Sequence, residues 1–373
     1  FVWLALGFLI YALVNTLVQL PEGYAAFSGF KRYFQATGLL FALAWLPVGE
    51  QDIKRWRRFF IVVALFQLPW CLYELVKLVP IREGLRYAYP GLVPIDVVAG
   101  TFGASMTSGG ANAEMATFLI IVLLFVLARL QLGLFPKGHL LWLLPFLLAP
   151  LFIGETKVVV LLLPLAFLTL YRREFWARPH VALAGLVLGT ALTLATGYAY
   201  MEITQRPLDR LVSETLSYNV YEKGYGNYFL NRTTVLTFWA ERQGLHDPAG
   251  ALFGHGLGAA HDATEGEIAR RYPGYGIGLT AASTLLWEQG VVGITLFLAV
   301  LALAWRTAGR VRQTTRDTWV KADSAAIQAA LPLFAFYLIY RAALLESLPF
   351  QLVFDGVLGY LAWLVRREAQ RSA

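Results

Sequence analysis

The feature that most constrains this chain is a series of apolar runs, each about 20 residues long, that recurs from one end to the other. "FVWLALGFLIYALVNTLVQL" at 1–20 and "MATFLIIVLLFVLARLQLGLF" at 115–135 are two of them. About 20 residues at a 1.5 Å rise cover the roughly 30 Å of bilayer hydrocarbon, and a helix satisfies its own backbone there. Apolar types make up 58 % of the chain, charged types 15 %, and the mean hydropathy is +0.57. A soluble domain carries about 25 % charged residues. A cytosolic enzyme, a disordered chain and a disulfide scaffold are therefore excluded, and Cys71, the one cysteine, has no internal partner. The net charge of +7 fits topology signals and anionic lipid headgroups, not nucleic acid.

The pattern predicts an all-α, polytopic transmembrane bundle of about ten spans. They fall at roughly 1–20, 33–48, 59–79, 115–135, 139–154, 156–171, 180–201, 279–305, 324–345 and 348–365. The basic loops at 49–58, 129–137, 172–178, 306–321 and 366–371 all lie on one side of such a bundle, which sets that side as cytoplasmic. Lys31 and Arg32 are a local exception. The chain starts at Phe1 inside an apolar stretch too long and uniform for a signal peptide, so one or two helices are expected before it. Three regions result. Residues 1–201 hold seven spans with an outer loop at 80–114, residues 202–278 form a large extracytoplasmic loop, and residues 279–373 hold three spans and a cytoplasmic tail. A loop that long in a compact bundle is usually functional, and its sequence predicts short helices and turns rather than a sheet.

Charges at membrane depth are costly and hence informative. Glu155 and Lys157 flank a turn near the outer surface, where a cation suits an anion such as a diphosphate. Glu74 and Lys77, three residues apart, are expected to form a local ion pair. Arg341 and Glu346 lie near the outward hairpin of the last two spans. The large loop carries Arg206, Arg210, Lys223, Arg232, Arg242, Arg270 and Arg271. Guanidinium groups bind phosphate bidentately and keep their charge, so a lipid diphosphate is a natural ligand, with Arg232 the first choice and Arg270 and Arg271 next. Tyr218, Tyr221, Tyr225, Tyr228, Tyr272 and Tyr275 offer aromatic faces for sugar rings, or an interfacial belt; Tyr225, Tyr228 and Tyr275 are the sugar-binding candidates. Gly254-His255-Gly256-Leu257-Gly258 is a tight glycine turn without the context of a dinucleotide fingerprint. His255, His261 and Glu288 are the candidate catalytic groups, with Asp262 and Glu265 as further bases. No spacing suggests a metal site. Asn231-Arg232-Thr233 matches a glycosylation sequon.

The stretch 231–258, "NRTTVLTFWAERQGLHDPAGALFGHGLG", resembles the main periplasmic loop of the O-antigen ligase and O-antigen polymerase superfamily. Its members carry an arginine, a tryptophan a turn or two later, and a glycine-rich close. "LLWEQGVVGITLFL" at 285–298 resembles the family's E-x-G-x-x-G helix opening, "GTFG" at 100–103 with Asn112 its first outer loop, and "GETKVVVLLLP" at 154–164 the segment where relatives often have Ser-Arg-Gly. The resemblance covers about a third of the chain, in the family's order. It implies a GT-C-like fold and a metal-independent, inverting glycosyltransferase in the bacterial inner membrane, its active site facing the periplasm. The donor is then an undecaprenyl-diphosphate-linked oligosaccharide, and no cofactor is needed. Arg232 matches the family's loop arginine, and Lys157 stands where a second arginine is usual. Ligases carry a histidine about nine residues before the E-x-G; here that position is Leu279, followed by Thr280, and the aspartate of related cell-wall polymerases is absent too. The departure favours a repeat-unit polymerase, which could work with a chain-length-regulating co-polymerase, over a ligase acting on lipid A core. A flippase for lipid-linked glycans and a non-catalytic envelope scaffold are the readings from other classes.

Overall fold

The structure, a computed structural model, describes residues 1–89, 92–154, 157–172, 224, 225, 228–244 and 246–372, together with positions 175, 180, 183, 187 and 213. The described residues are helical, with no strand among them. In chain order the helices are α1 (Val2–Gln19), α2 (Gly23–Phe34), α3 (Thr37–Trp45), α4 (Glu50–Gly84, with a π-helical turn at Glu74–Leu78), α5 (Asn112–Gln131), α6 (Lys137–Ile153) and α7 (Val159–Leu170). Then come α8 (Thr234–Arg242), α9 (Pro248–Phe253), α10 (Glu267–Arg271), α11 (Ala281–Thr314), α12 (Thr318–Tyr340), α13 (Ala343–Glu346) and α14 (Leu348–Ser372).

Six of these, α1, α4, α5, α11, α12 and α14, are long and apolar enough to cross a membrane, and α6 and α7 are shorter apolar helices. The chain is thus an α-helical protein built for a bilayer. The expected span at 33–48 is not one helix: α2 ends at Phe34, and α3 has nine residues, about 14 Å of rise. Continuous apolar sequence cannot report such a break, because both pieces are apolar. The expected span at 180–201 lies outside the described residues, as do Glu155, Arg206, Arg210, Tyr218, Tyr221 and Lys223. Between 228 and 278 the expected short helices and turns are present as α8, α9 and α10.

The chain divides into two compact units. One comprises Phe1–Leu46, Pro207–Thr307 and Phe334–Ala373; the other comprises Pro47–Arg206 and Ala308–Leu333. In the second, the fully buried Asp323 accepts from Arg129 Nε and Nη2, each at 2.7 Å, and from Arg57 Nη1 at 3.3 Å. A carboxylate this deep is tolerable because cations answer it in bidentate geometry. The expected pairing of Glu74 with Lys77 is not what forms. Glu74 instead accepts from the amides of Ala99 (2.9 Å) and Gly100 (2.8 Å) and from Trp70 Nε1 (3.1 Å). Gln67 accepts from Thr101 N at 2.9 Å, so the first outer loop's "GTFG" is held by polar side chains of α4. The π-helical turn that begins at Glu74 shifts the helical register there.

Candidate functional site

The first unit gathers most of the expected site, and its geometry starts at Gly290. This residue has φ 65° and ψ −168°, which interrupts α11 within an otherwise helical run. Only glycine takes that conformation without strain, and a Cβ there would lie 2.3 Å from the Leu252 carbonyl oxygen. The break exposes main-chain carbonyls that need donors. His255 N donates to Trp287 O at 3.0 Å, and Gly256 N to Glu288 O at 2.9 Å. Two polar residues of α1 complete the set. Tyr11 Oη donates to Gln289 O at 2.9 Å, and Asn15 Nδ2 reaches Phe253 O at 2.7 Å and Glu288 O at 3.3 Å.

The glycine turn is thus fastened by its backbone to the "EQG" of α11. Close approach is what its glycines provide: a Cβ on Gly254 would sit 2.4 Å from both Glu288 C and Gln289 N. On its other side the turn rests on α2. Gly258 approaches Ala25, and Gly29 approaches Gly258, too closely for any side chain. Ala25, Gly29, Arg32 and Tyr33 share one helical face and are all buried. The small residues admit the turn, and the next turn of the helix carries Arg32 and Tyr33 beneath it. The opposite face shows Tyr24, Phe27 and Phe30, an aromatic surface suited to the headgroup region.

Arg32 is the centre of a charge cluster. Its Nη1 donates to Glu346 Oε1 at 3.3 Å, and its Nε to Ser28 O at 3.4 Å. Glu288, 0 % exposed, lies close enough for the guanidinium to act on it electrostatically. The Tyr33 hydroxyl and the Gly258 and Ala260 amides bear on the Glu288 carboxylate too, but short of full hydrogen-bond geometry. His261 Nε2 is 3.7 Å from Glu346 Oε1, and its Nδ1 is 3.2 Å from Thr264 Oγ1. Burial first, then Arg32, pulls the His261 imidazole down to about 4, so it is neutral at pH 7 and the contact is not an ion pair. Burial raises the Glu346 carboxyl above its ordinary value; Glu288 adds to the rise, while Arg32 and Arg341 oppose it.

His255 stands apart from this cluster. Its Nε2 meets Gln243 Nε2 at 2.7 Å, and Asp247 Oδ2 is 4.0 Å away. Burial lowers its pKa, which keeps the imidazole neutral and its lone pair engaged with the glutamine. The carboxylate of Asp247 also accepts from Gly250 N at 3.0 Å, capping α9 ahead of Pro248. His255 therefore ties α9 to the glycine turn.

Arg232 is positioned by a cap of a different kind. Asn231, 1 % exposed, accepts from Thr233 N and Thr234 N at 2.9 Å each and starts α8. So buried an asparagine is no glycan acceptor. Beside it, the Arg232 guanidinium lies 4.3 Å over the Tyr225 ring and 4.4 Å over the Tyr340 ring, and Nε donates to Tyr340 O at 2.7 Å. Tyr228 N donates to Tyr225 O at 3.1 Å, and the Tyr228 hydroxyl feels the charges of Asp262 and Glu346 as well as its own burial, all of which raise its pKa. Arg232 thus groups with Tyr225 and Tyr340, and Tyr228 lies within electrostatic reach of Glu346.

Other expected residues lie elsewhere. Arg270 pairs with Glu22 and Arg271 with Glu267, both at the surface. Tyr275 is packed between Phe229 (5.2 Å) and Phe238 (5.0 Å) in an apolar cluster around Val235, Ile277 and Trp287, so its faces are largely covered. Lys157 is in the second unit, exposed in the turn before α7. Just after Leu279, Thr280 and Ser283 cap α11 reciprocally: Ser283 N donates to Thr280 Oγ1 at 3.1 Å and Thr280 N to Ser283 Oγ at 3.2 Å. Sequence reasoning did not assign Arg32 a role. Its signal was present as an exception to the charge asymmetry of the loops. No protein-family model matches the chain, and no curated protein matches it significantly.

Proposed function

We propose that the chain is an inverting membrane glycosyltransferase that uses an undecaprenyl-diphosphate-linked glycan, and that it polymerises repeat units on the outer face of the bacterial inner membrane. The observation that carries this reading is the Arg232 guanidinium, clamped between Tyr225 and Tyr340 in the same unit as the Arg32–Glu346–His261 cluster. A stacked and hydrogen-bonded guanidinium is oriented before any ligand arrives, which is how a diphosphate leaving group is best stabilised. Tyr225 and Tyr228, 37 % and 40 % exposed, sit next to it with aromatic surface to offer a sugar ring. Six helices able to cross a bilayer suit a donor whose carrier is itself a lipid. In this reaction the acceptor hydroxyl attacks the anomeric carbon, and undecaprenyl diphosphate departs with the bonding electron pair. Fixed cations take the part that a divalent metal plays in other transferases.

The test is to incubate the purified protein with lipid-linked repeat units. Longer glycans and free undecaprenyl diphosphate are the expected products. Transfer that occurs only when lipid A core is supplied would make the chain a ligase. Passage of intact donor across a vesicle membrane without cleavage would make it a flippase and sink the proposal.

A further inference from the structure

Glycosyl transfer to a hydroxyl needs a group to receive the hydroxyl proton, and the position where ligases keep a histidine is Leu279 here, directly ahead of the Thr280–Ser283 helix cap. Four ionisable groups of the first unit come near the glycine turn, and their access to solvent sorts them. Glu288 is 0 % exposed. The His255 side chain is 15 % exposed and engaged by Gln243. The His261 side chain is 23 % exposed and the Glu346 side chain 39 %. Glu346 thus combines contact with solvent and close charged neighbours, Arg32 and His261. Its two oxygens are not equivalent. Arg32 Nη1 and His261 Nε2 both approach Oε1, and Oε2 accepts no hydrogen bond among the described residues. One oxygen is anchored and the other is left without a hydrogen bond on a side chain that reaches solvent, which suits a general base.

We infer that Glu346 is the catalytic base of the proposed transfer, with Arg32 and His261 as the residues that position it. This inference rests on the glycosyltransferase reading. As the acceptor oxygen bonds to the anomeric carbon, its proton passes to Glu346 Oε2. The bond from that carbon to the diphosphate oxygen breaks, and its electron pair leaves with the lipid diphosphate. Glu346 then returns the proton to water, to which its side chain is 39 % exposed. The charged and titratable groups that face it are Arg32 and Tyr33 from α2, Glu288 from α11, Arg341 from the end of α12, and Tyr228 and His261 from the loop. The balance of burial and Glu288 against Arg32 and Arg341 keeps the carboxylate more basic than an ordinary glutamate, which favours proton uptake near neutral pH.

The experiment measures kcat and donor KM against pH for the wild type, Glu346→Gln and Glu346→Asp, using lipid-linked repeat units in the full chain. Glu346→Gln should lower kcat by about 10²- to 10⁴-fold and flatten the acid limb of the profile, with donor KM retained. Glu346→Asp keeps the charge but withdraws the carboxylate by one methylene, and its kcat should fall between the two with the acid limb intact. A Glu346→Gln kcat within about twofold of wild type overturns the inference, as does a loss that appears in donor KM instead of kcat. If Glu346→Gln does not fold, Glu346→Asp decides: an unchanged kcat overturns the inference, and a lowered kcat with the acid limb preserved supports it. A wild type that releases no diphosphate carrier at all defeats the glycosyltransferase reading itself and this inference with it, a result distinct from the failure of Glu346 alone.

Discussion

The guanidinium of Arg232 donates from Nε to the carbonyl oxygen of Tyr340 at 2.7 Å while lying 4.4 Å over the ring of that same residue. One partner thus fixes both the direction and the plane of the cation, and Tyr225 closes the other face at 4.3 Å. Lysine can supply the charge but neither the plane nor the second hydrogen bond. Arg232→Lys is therefore expected to behave almost like Arg232→Ala, with both losing about 10²- to 10³-fold in turnover of lipid-linked repeat units. Single-turnover release of undecaprenyl diphosphate measures it, and near-normal release by the lysine variant would show that charge alone suffices.

The glycine turn makes a second expectation. Gly254 has φ 77°, and a Cβ there would fall 2.4 Å from backbone atoms of Glu288 and Gln289. Gly254→Ala should cost about 1–3 kcal/mol from the backbone conformation alone, and more from the collision. Gly7, in α1, has nothing within 4 Å of its Cβ position, so Gly7→Ala should be neutral or slightly stabilising. Thermal unfolding in detergent compares the pair; equal melting temperatures would mean that the turn is not held as described.

A third concerns pH. His261 titrates at about 4 in the folded chain against an ordinary value of 6.5. Between those values the unfolded chain binds a proton that the folded one refuses, so stability falls as pH drops from about 6.5 toward 4. The shift corresponds to a ceiling of about 3 kcal/mol. Glu346, raised in the folded state, works in the opposite sense and favours the folded chain at low pH. Comparing wild type with His261→Gln isolates the histidine. The variant's melting temperature should gain on the wild type's between pH 7 and pH 5, and parallel curves would show that the imidazole is not held neutral.

Local chemistry made part of this protein legible in its sequence. The apolar runs marked the long helices, and the glycines of 254–258 marked a turn that needs close backbone approach. Arg232 was singled out before its tyrosine clamp could be seen. What escaped was tertiary. Arg32 and Glu346 are separated by 314 positions, and nothing in the period of either segment names the other as its partner. The break at Gly290 escaped too, because a glycine inside an apolar run reads equally well as a helical packing residue. Tyr275 looked like a sugar platform because composition registers aromatic surface without showing whether it is already covered.

The turn at 254–258 is held to α11 by main-chain amides meeting main-chain carbonyls, and those bonds are indifferent to which side chains the segment carries. What variation at 255 and 257 disturbs is the packing around them: His255 holds Gln243, and Leu257 is fully buried. The clasp itself is written in the main chain, so His255→Pro or Gly256→Pro, each of which removes a donating amide, undoes it where a change of side chain does not.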